Sequence, residues 1–269
     1  VPAGNPGKFR TGKKVDRTRK LSERSIGGIL PGLSRASRMS QQLYNLLSGA
    51  WPLVAESREL DVVKPEGMDE LWSVGWRHFG TDFFRASLMS DGMCLKRQIA
   101  LRIEVAQFMR SRSQRRTFRK NRDLELSFDG AAPGEAESCL FDIHKMRFAG
   151  NVPDCLTDFL GTQPDRRPCE CLQLSVRLEG RLIAASFFAL GRQACSSIYA
   201  VFDPEFSRRR LGVFTMLAEL EFAREQGFRF YYSGYATVES SCYDYKKEFG
   251  ALHYYDWEGR WLPVGNLRI

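Results

Sequence analysis

The sequence lacks any hydrophobic run long enough to cross a lipid bilayer, which requires about 20 consecutive apolar residues. Its first residues also lack the apolar core of a secretory signal. Cysteine is sparse, with seven residues among 269, and neither their number nor their spacing suits a disulfide scaffold. We therefore expect a soluble globular protein in a reducing, cytoplasmic setting, with no membrane contact.

Acidic residues are nearly missing from the first 40 positions, where ten Lys and Arg residues stand against Asp16 and Glu23. This segment carries the whole formal net charge of +8, and the rest of the chain is neutral. It is rich in Gly, Ser and Pro and poor in aromatic residues, so it has too little apolar surface to fold alone. We predict a disordered basic tail over 1–40. A solvated tail, a nucleic-acid contact arm and a transit-peptide remnant all remain open.

Apolar periodicity predicts two ordered regions after the tail. The first region, 41–122, is expected to hold helices over 40–47, 68–79 and 111–122 and a strand over 97–105. The second region, 123–269, is expected to hold strands over 123–128, 171–178, 181–190, 195–202, 228–232 and 251–257 and helices over 135–148, 153–160, 208–226 and 240–249. The resulting order, β-α-α-β-β-β-α-β-α-β, resembles the GNAT acyltransferase fold. We therefore predict an α/β domain with a mixed sheet flanked by helices, in which two strands splay apart and open a substrate cleft.

The predicted helix over 111–122 is the most basic part of the chain. Its spacing places the guanidinium groups of four arginines on one face: Arg112, Arg115, Arg116 and Arg119. Such an array repels itself unless an anion neutralises it. A phosphate-bearing partner and acidic protein neighbours would both do so.

The loop before the helix at 208–226 bears on the choice of acyl donor. Acetyl-CoA enzymes of the GNAT fold carry Arg/Gln-x-x-Gly-x-Gly/Ala there, so that backbone N–H groups can close on a pyrophosphate. Here Gly212 fits the pattern, but Phe214 occupies a position that requires a small residue. Phe214 thus argues against coenzyme A as the donor.

Several short motifs resemble the arginyl-tRNA-protein transferases and their bacterial leucyl-transferring relatives. They are Gly75-Trp-Arg-His-Phe-Gly80, Phe83-Phe-Arg85, Ser111-Arg-Ser-Gln-Arg-Arg116, Ser197-Ile-Tyr-Ala-Val-Phe-Asp-Pro204, Arg210-Leu-Gly212, Tyr231-Tyr-Ser-Gly-Tyr235 and Tyr245-Lys-Lys-Glu-Phe249. The resemblance covers roughly residues 70 to 260 and implies a GNAT-fold enzyme that takes its amino acid from a charged tRNA, arginine being the family default. The acceptor would be an amine of a protein or of a small molecule.

The resemblance implies roles for a small set of residues. An ester-linked aminoacyl group is already activated, so the protein must align the partners, accept a proton and stabilise an oxyanion. Asp203 would bind the positive group of arginine or the α-ammonium, and Tyr235 and Tyr245 would assist the oxyanion or orient the 3′ adenosine. Contacts to tRNA would come from Arg112, Gln114, Arg115, Arg116, Arg119, Arg210, Gly212 and Lys246. Each role has a structural alternative: helix capping for Asp203, strand packing for the tyrosines and surface charge for Lys246.

The chain departs from the family pattern in its cysteines. The family's N-terminal region carries cysteines that bind a metal or an iron-sulfur centre, but here only Cys94 lies near the expected place. A thiolate site needs about three or four ligands, so we predict no metal and no cofactor, and a structural role for Cys169 and Cys171. Two alternatives to the leading function remain, an acyl-CoA-dependent N-acyltransferase of the same fold and a catalytically silent tRNA-binding relative.

Overall fold

The computed structural model describes residues 51–91, 94–148 and 153–267. The basic tail predicted over 1–40 and the helix predicted over 40–47 lie outside the described residues. No helix in the described ranges is both long enough and apolar enough to pass through a membrane.

Strands and helices alternate along most of the described chain. The strands are β1 (Ala55–Glu59), β2 (Arg77–Phe79), β3 (Asp82–Ala86), β4 (Leu88–Asp91), β5 (Cys94–Glu104), β6 (Glu125–Gly130), β7 (Cys171–Leu178), β8 (Arg181–Leu190), β9 (Ala194–Phe202), β10 (Phe230–Thr237), β11 (Leu252–Tyr255) and β12 (Trp261–Pro263). The α-helices are α1 (Pro65–Ser73), α2 (Arg112–Lys120), α3 (Glu135–Lys145), α4 (Thr157–Leu160) and α5 (Leu211–Glu225). Short 3-10 helices lie at Val105–Gln107, Pro204–Arg209, Asp244–Glu248 and Val264–Asn266.

A mixed sheet organises the fold, with the strand order β12-β11-β5-β10-β9-β8-β7-β6 and with β4 paired to β5. A second, antiparallel sheet has the order β1-β3-β2. The predicted α/β class, with a mixed sheet flanked by helices, is thereby confirmed. Strand β5 comes from the region before residue 122 yet lies between β10 and β11, so the large sheet crosses the domain boundary that we placed at 122–123. That division remains a prediction.

Helix α5 is the main helix of one face of the sheet. Ten of its residues are buried, among them Leu211, Phe214 and Leu217, and it packs against β8, β9 and β10. Arg210, in the left-handed region at φ 56°, precedes the helix, and Gly227 at φ +74° follows it. The opposite face of the sheet carries a second apolar cluster, to which α1, α3 and α4 contribute.

Several predicted helices are shorter in the structure, and in one of them a local side-chain hydrogen bond competes with helix formation. The helix predicted over 208–226 is divided at Arg210 into the 3-10 helix Pro204–Arg209 and α5. The helix predicted over 240–249 is only the 3-10 turn Asp244–Glu248, and the Ser240 hydroxyl donates to Asp244 at 2.9 Å instead. Of the other two, the helix predicted over 68–79 ends at Ser73, and the one predicted over 153–160 covers only Thr157–Leu160.

Candidate active site

Strands β9 and β10 diverge at the centre of the large sheet. They are parallel partners only from Ala194 opposite Phe230 to Ser196 opposite Tyr232. Just beyond Ser196 and Tyr232, each strand has a bulge in its pairing with the neighbour on its other side. An extra residue, Ile198, interrupts β9 against β8, and an extra residue, Ser233, interrupts β10 against β5. The two bulges therefore lie at the same level and open a wedge between the strands.

The side chain of Arg77, from β2, fills this wedge. Its Nη2 donates to the Ile198 carbonyl oxygen at 3.2 Å, and its guanidinium carbon lies 5.8 Å from the centroid of the Tyr235 ring. Gly234 permits this approach, because its φ of +90° disfavours other residues and a Cβ there would collide with Nη1 of Arg77. Nη1 is inaccessible to solvent and has no hydrogen-bond partner among the described residues. Burial lowers the pKa of Arg77.

A second cation, Lys246, lies beside Arg77. Its Nζ donates to the Tyr235 carbonyl oxygen at 3.2 Å and would lie 3.3 Å from a Cβ at position 234. Its surroundings lower the pKa of Lys246 to about 7, first through desolvation and then through the positive charge of Arg77. The ammonium therefore exchanges its proton near neutral pH.

A buried carboxylate completes the site from the other side of the sheet. Glu219, on α5, is 1 % exposed, and the Tyr231 hydroxyl donates to its Oε2 at 2.6 Å. Burial raises the pKa of Glu219 to about 7, although the hydroxyls of Ser186, Tyr231 and Ser197 oppose this increase. Ser197 is only partly buried and lies on β9 at the start of the wedge, so it is the least buried of these three hydroxyl residues.

The two tyrosines predicted to be catalytic lie close to this cluster. The Tyr235 hydroxyl donates to the Gly75 carbonyl oxygen at 2.7 Å, so it holds the segment that carries Arg77. Tyr245 is partly buried, and burial raises the pKa of both phenols. Their roles with the oxyanion or the adenosine remain predictions.

Asp203 and Gln114 are already bonded within the fold. Asp203 is 2 % exposed, with Oδ1 accepting from the Glu205 backbone N–H at 2.9 Å and Oδ2 accepting from Arg181 at 2.5 Å. Gln114 is buried and forms a capping box with Ser111, whose N–H donates to Oε1 of Gln114 at 2.8 Å. Capping accounts for both side chains, and we leave both out of the proposed site. Their predicted substrate contacts remain untested.

The predicted basic helix forms as α2, and the same face of it carries Arg112, Arg115, Arg116 and Arg119. All four are exposed, and none forms an ion pair within the part of the chain that the structure describes. Helix α2 packs on α5 through Phe118 and Phe214, whose ring centroids are 5.7 Å apart. These four arginines and Arg210 are called the basic face below.

Arg210 connects the basic face with the wedge. Its Nη1 donates to the Ser113 hydroxyl on α2 at 2.7 Å, and its Nη2 lies 3.8 Å from a carboxylate oxygen of Glu248, in the same 3-10 helix as Lys246. Gly212, the next predicted contact, lies where a Cβ would approach the Phe202 ring at 3.3 Å. Packing is therefore one reason for glycine at 212.

Three residues of the wedge, Arg77, Glu219 and Ser197, were not predicted from the sequence. For two of them, the sequence contained a feature that could have identified them. Arg77 lies inside the motif at 75–80, and Glu219 is a lone acid between buried Ala218 and Leu220 on the apolar side of α5. A carboxylate at such a position is rarely left without a function or a strong partner.

The order of elements and the splayed, bulged strands define an acyltransferase of GNAT-like fold. Residues 139–256 match the family model described as "Arginine-tRNA-protein transferase, C terminus". An aspartate/glutamate leucyltransferase of Aeromonas hydrophila subsp. hydrophila is 31% identical over 192 residues, which cover 70% of this chain and 78% of that protein. Another, from Hahella chejuensis, is 30% identical and covers 61% of this chain and 70% of that protein. The chain belongs to the arginyl-tRNA-protein transferase family of aminoacyl-tRNA-dependent transferases, together with its leucyl-transferring relatives.

Among solved structures, the chain is similar to the crystal structure of FemX, with a TM-score of 0.42 and 11% identity over 76% of this chain and 71% of that one. The expectation that arginine is the transferred amino acid is not confirmed, since the relatives named above are leucyltransferases.

Proposed function

We propose that this protein transfers a leucyl group from leucyl-tRNA to the N-terminal amine of a protein that begins with Asp or Glu. The names of the similar relatives supply the amino acid and the acceptor. The observation that carries the chemistry is the buried carboxylate of Glu219, with a pKa raised to about 7, directly behind the wedge between β9 and β10.

The reaction exchanges an ester for an amide. The α-amine attacks the ester carbonyl of the aminoacyl group, the C–N bond forms, and the C–O bond to the 3′ adenosine breaks. A protein α-ammonium has a pKa of about 8, so a base with a pKa near 7 is well matched to remove its proton. Glu219 would accept that proton through the hydroxyl of Ser197. The nitrogen loses a second proton to solvent as the amide forms, and the leaving ribose oxygen takes up one proton, so the net reaction releases one proton.

Lys246 would complete the proton balance. An ammonium whose pKa is about 7 is both a hydrogen-bond donor to the developing oxyanion and a source of the proton for the leaving oxygen. Tyr245, beside it in the same 3-10 helix, is the proposed contact for the 3′ adenosine. Tyr235 would act as a positioning residue, because its hydroxyl is bonded to Gly75.

The basic face would hold the tRNA phosphates. Its four helix arginines are exposed and lack ion-pair partners among the described residues, and Arg210 extends the positive surface towards the 3-10 helix of Lys246. Phosphate contacts of this kind position a nucleic acid without reading its bases. The tail at 1–40 adds charge of the same sign.

A transfer assay tests the proposal. Leucyl-tRNA and arginyl-tRNA, each labelled on the amino acid, are incubated with peptides that begin with Asp, Glu or Ala, and acetyl-CoA is offered in parallel as an alternative donor. We expect label from leucyl-tRNA on the Asp and Glu peptides. The Glu219→Gln variant should be slower by about 100-fold or more. Transfer from arginyl-tRNA alone, or from acetyl-CoA alone, would contradict the proposal.

A further inference from the structure

Two cations, Arg77 and Lys246, lie side by side in the wedge without an anionic partner. Arg77 uses Nη2 on the Ile198 carbonyl oxygen, and Lys246 uses Nζ on the Tyr235 carbonyl oxygen. No described carboxylate lies within ion-pair distance of either cation. The negative charge of Glu219 raises the pKa of Lys246 without a direct contact, and this effect is smaller than the lowering by Arg77.

An enclosed cation without an anion is costly, because each positive group loses water and repels the other. The rest of the wedge does not relieve this cost, since Nη1 of Arg77 has no hydrogen-bond partner among the residues that the structure describes. Gly234 keeps the guanidinium in place by offering no Cβ. The fold thus maintains an unneutralised pair of donors at its centre, as a preformed anion site does.

The space beside Arg77 limits the anion that can enter. A cavity of about 10 Å³ adjoins the guanidinium and is lined by Trp72, Trp76, Ser196, Tyr232 and Gly234. That volume suits about one water-sized group, such as one oxygen of an anion. Exposed arginines for phosphates are available on the basic face instead.

We propose that Arg77 and Lys246 form the binding site for the side-chain carboxylate of the acceptor's first residue. Arg77 and Lys246 are both partly buried, and Nη1 of Arg77 is inaccessible to solvent, so an acid that binds both cations must place an oxygen in the enclosed space beside Nη1. Arg77 thereby becomes a specificity-determining residue that selects Asp or Glu over Asn or Gln. This inference rests on the proposed function for the identity of the acceptor.

Two measurements on the full chain test the site. The first is the binding of fluorescent peptides beginning with Asp, Glu, Asn or Gln in the absence of tRNA, and the second is leucyl transfer to the same peptides. Arg77→Gln and Lys246→Met remove one cation each. Arg85→Gln and Lys247→Met are the matched controls, because Arg85 is already paired with Glu56 and Lys247 with Asp244.

We expect the wild type and both controls to favour the acidic peptides over their amides by about 10- to 100-fold in binding and in kcat/KM. Arg77→Gln and Lys246→Met should each lose most of that preference in peptide binding. In transfer, Arg77→Gln should slow the acidic peptides more than the amide peptides, whereas Lys246→Met should slow all of them, because Lys246 also donates the proton to the leaving oxygen. Thermal melting shows whether Arg77→Gln is folded. Lys246→Met, on a different element of the fold, tests the site independently.

Three outcomes overturn the inference. One is a preference for acidic peptides that survives in both variants. A second is the lack of any such preference in the wild type. A third is loss of leucyl-tRNA binding in the variants with unchanged acceptor preference, which would assign the cations to a tRNA phosphate. Failure of the proposed function looks different, because peptide binding would then still depend on Arg77 and Lys246 although no leucine is transferred.

Discussion

Replacing Glu219 with Gln should make the protein more stable at high pH while slowing the reaction. The native carboxyl has a pKa of about 7 against 4.5 in an unfolded chain. The native state therefore binds the proton of Glu219 more tightly than the unfolded chain does. Glu219 lowers the free energy of unfolding progressively as the pH rises from 4.5 through 7. The shift corresponds to about 3 kcal/mol, fully expressed above pH 7 and absent below pH 4.5.

The Gln side chain keeps the shape of Glu219 and an oxygen that accepts from Tyr231, but it never ionises. The difference in free energy of unfolding between Glu219→Gln and the wild type should thus grow by about 3 kcal/mol between pH 5 and pH 8.5. Urea titrations at five pH values measure it. Glu225→Gln, on the exposed side of the same helix, is the control and should give no such trend.

The same pair of proteins tests the catalytic role. In the wild type, kcat/KM should rise with pH below about 7 as Glu219 loses its proton, and fall above about 7 as Lys246 loses its own. The Glu219→Gln variant should lack the rise of kcat/KM with pH that the ionisation of Glu219 causes. A stability difference that does not change with pH would refute the argument from burial. An unaltered pH profile in an active variant would refute the role as base.

The remaining predictions concern residues outside the wedge. Arg115→Ala and Arg116→Ala should each weaken tRNA binding at low salt and reduce the slope of log K against log salt by about 1, which filter binding across a salt series measures; an unchanged slope would exclude phosphate contacts. Gln114→Ala should cost about 1 kcal/mol by removing half of the capping box, seen as a lower Tm with an unaltered salt slope. Asp203→Ala should also cost about 1 kcal/mol or more through its lost cap and leave acceptor preference unchanged; a changed preference would restore Asp203 to the site.

Strands β7 to β9 and helix α5, which follows them, could be predicted from the sequence because their determinants are local. Glu179 and Gly180, which separate the strands predicted over 171–178 and 181–190, both have positive φ, as a two-residue hairpin turn requires. The buried positions of α5 follow its apolar spacing. The contents of the wedge were not accessible in this way. Arg77 contacts Ile198 across 121 positions, and no local pattern encodes such a contact.

The charge states of the site depend on burial, which only the assembled sheet provides. Glu219 and Lys246 look like ordinary helix residues in the sequence, yet both have a pKa near 7 because strands and helices enclose them. Gln114 shows the opposite case. The spacing Ser111-x-x-Gln114 is itself a capping signature, so the local signal would have sufficed to identify the cap, although we predicted Gln114 as a tRNA contact.

The position of β5 between β10 and β11 has a consequence for how the protein is made. Arg102 on β5 pairs with Tyr232 on β10. Roughly 130 further residues must therefore be synthesised before β5 can pair with β10. Contacts so distant in sequence form slowly, and an unpaired β5 edge is exposed to other chains in the meantime. A fragment limited to the family-matched residues 139–256 would lack β5 and Arg77 altogether. In that fragment β10 would have no β5 to pair with, and the cleft would lack Arg77.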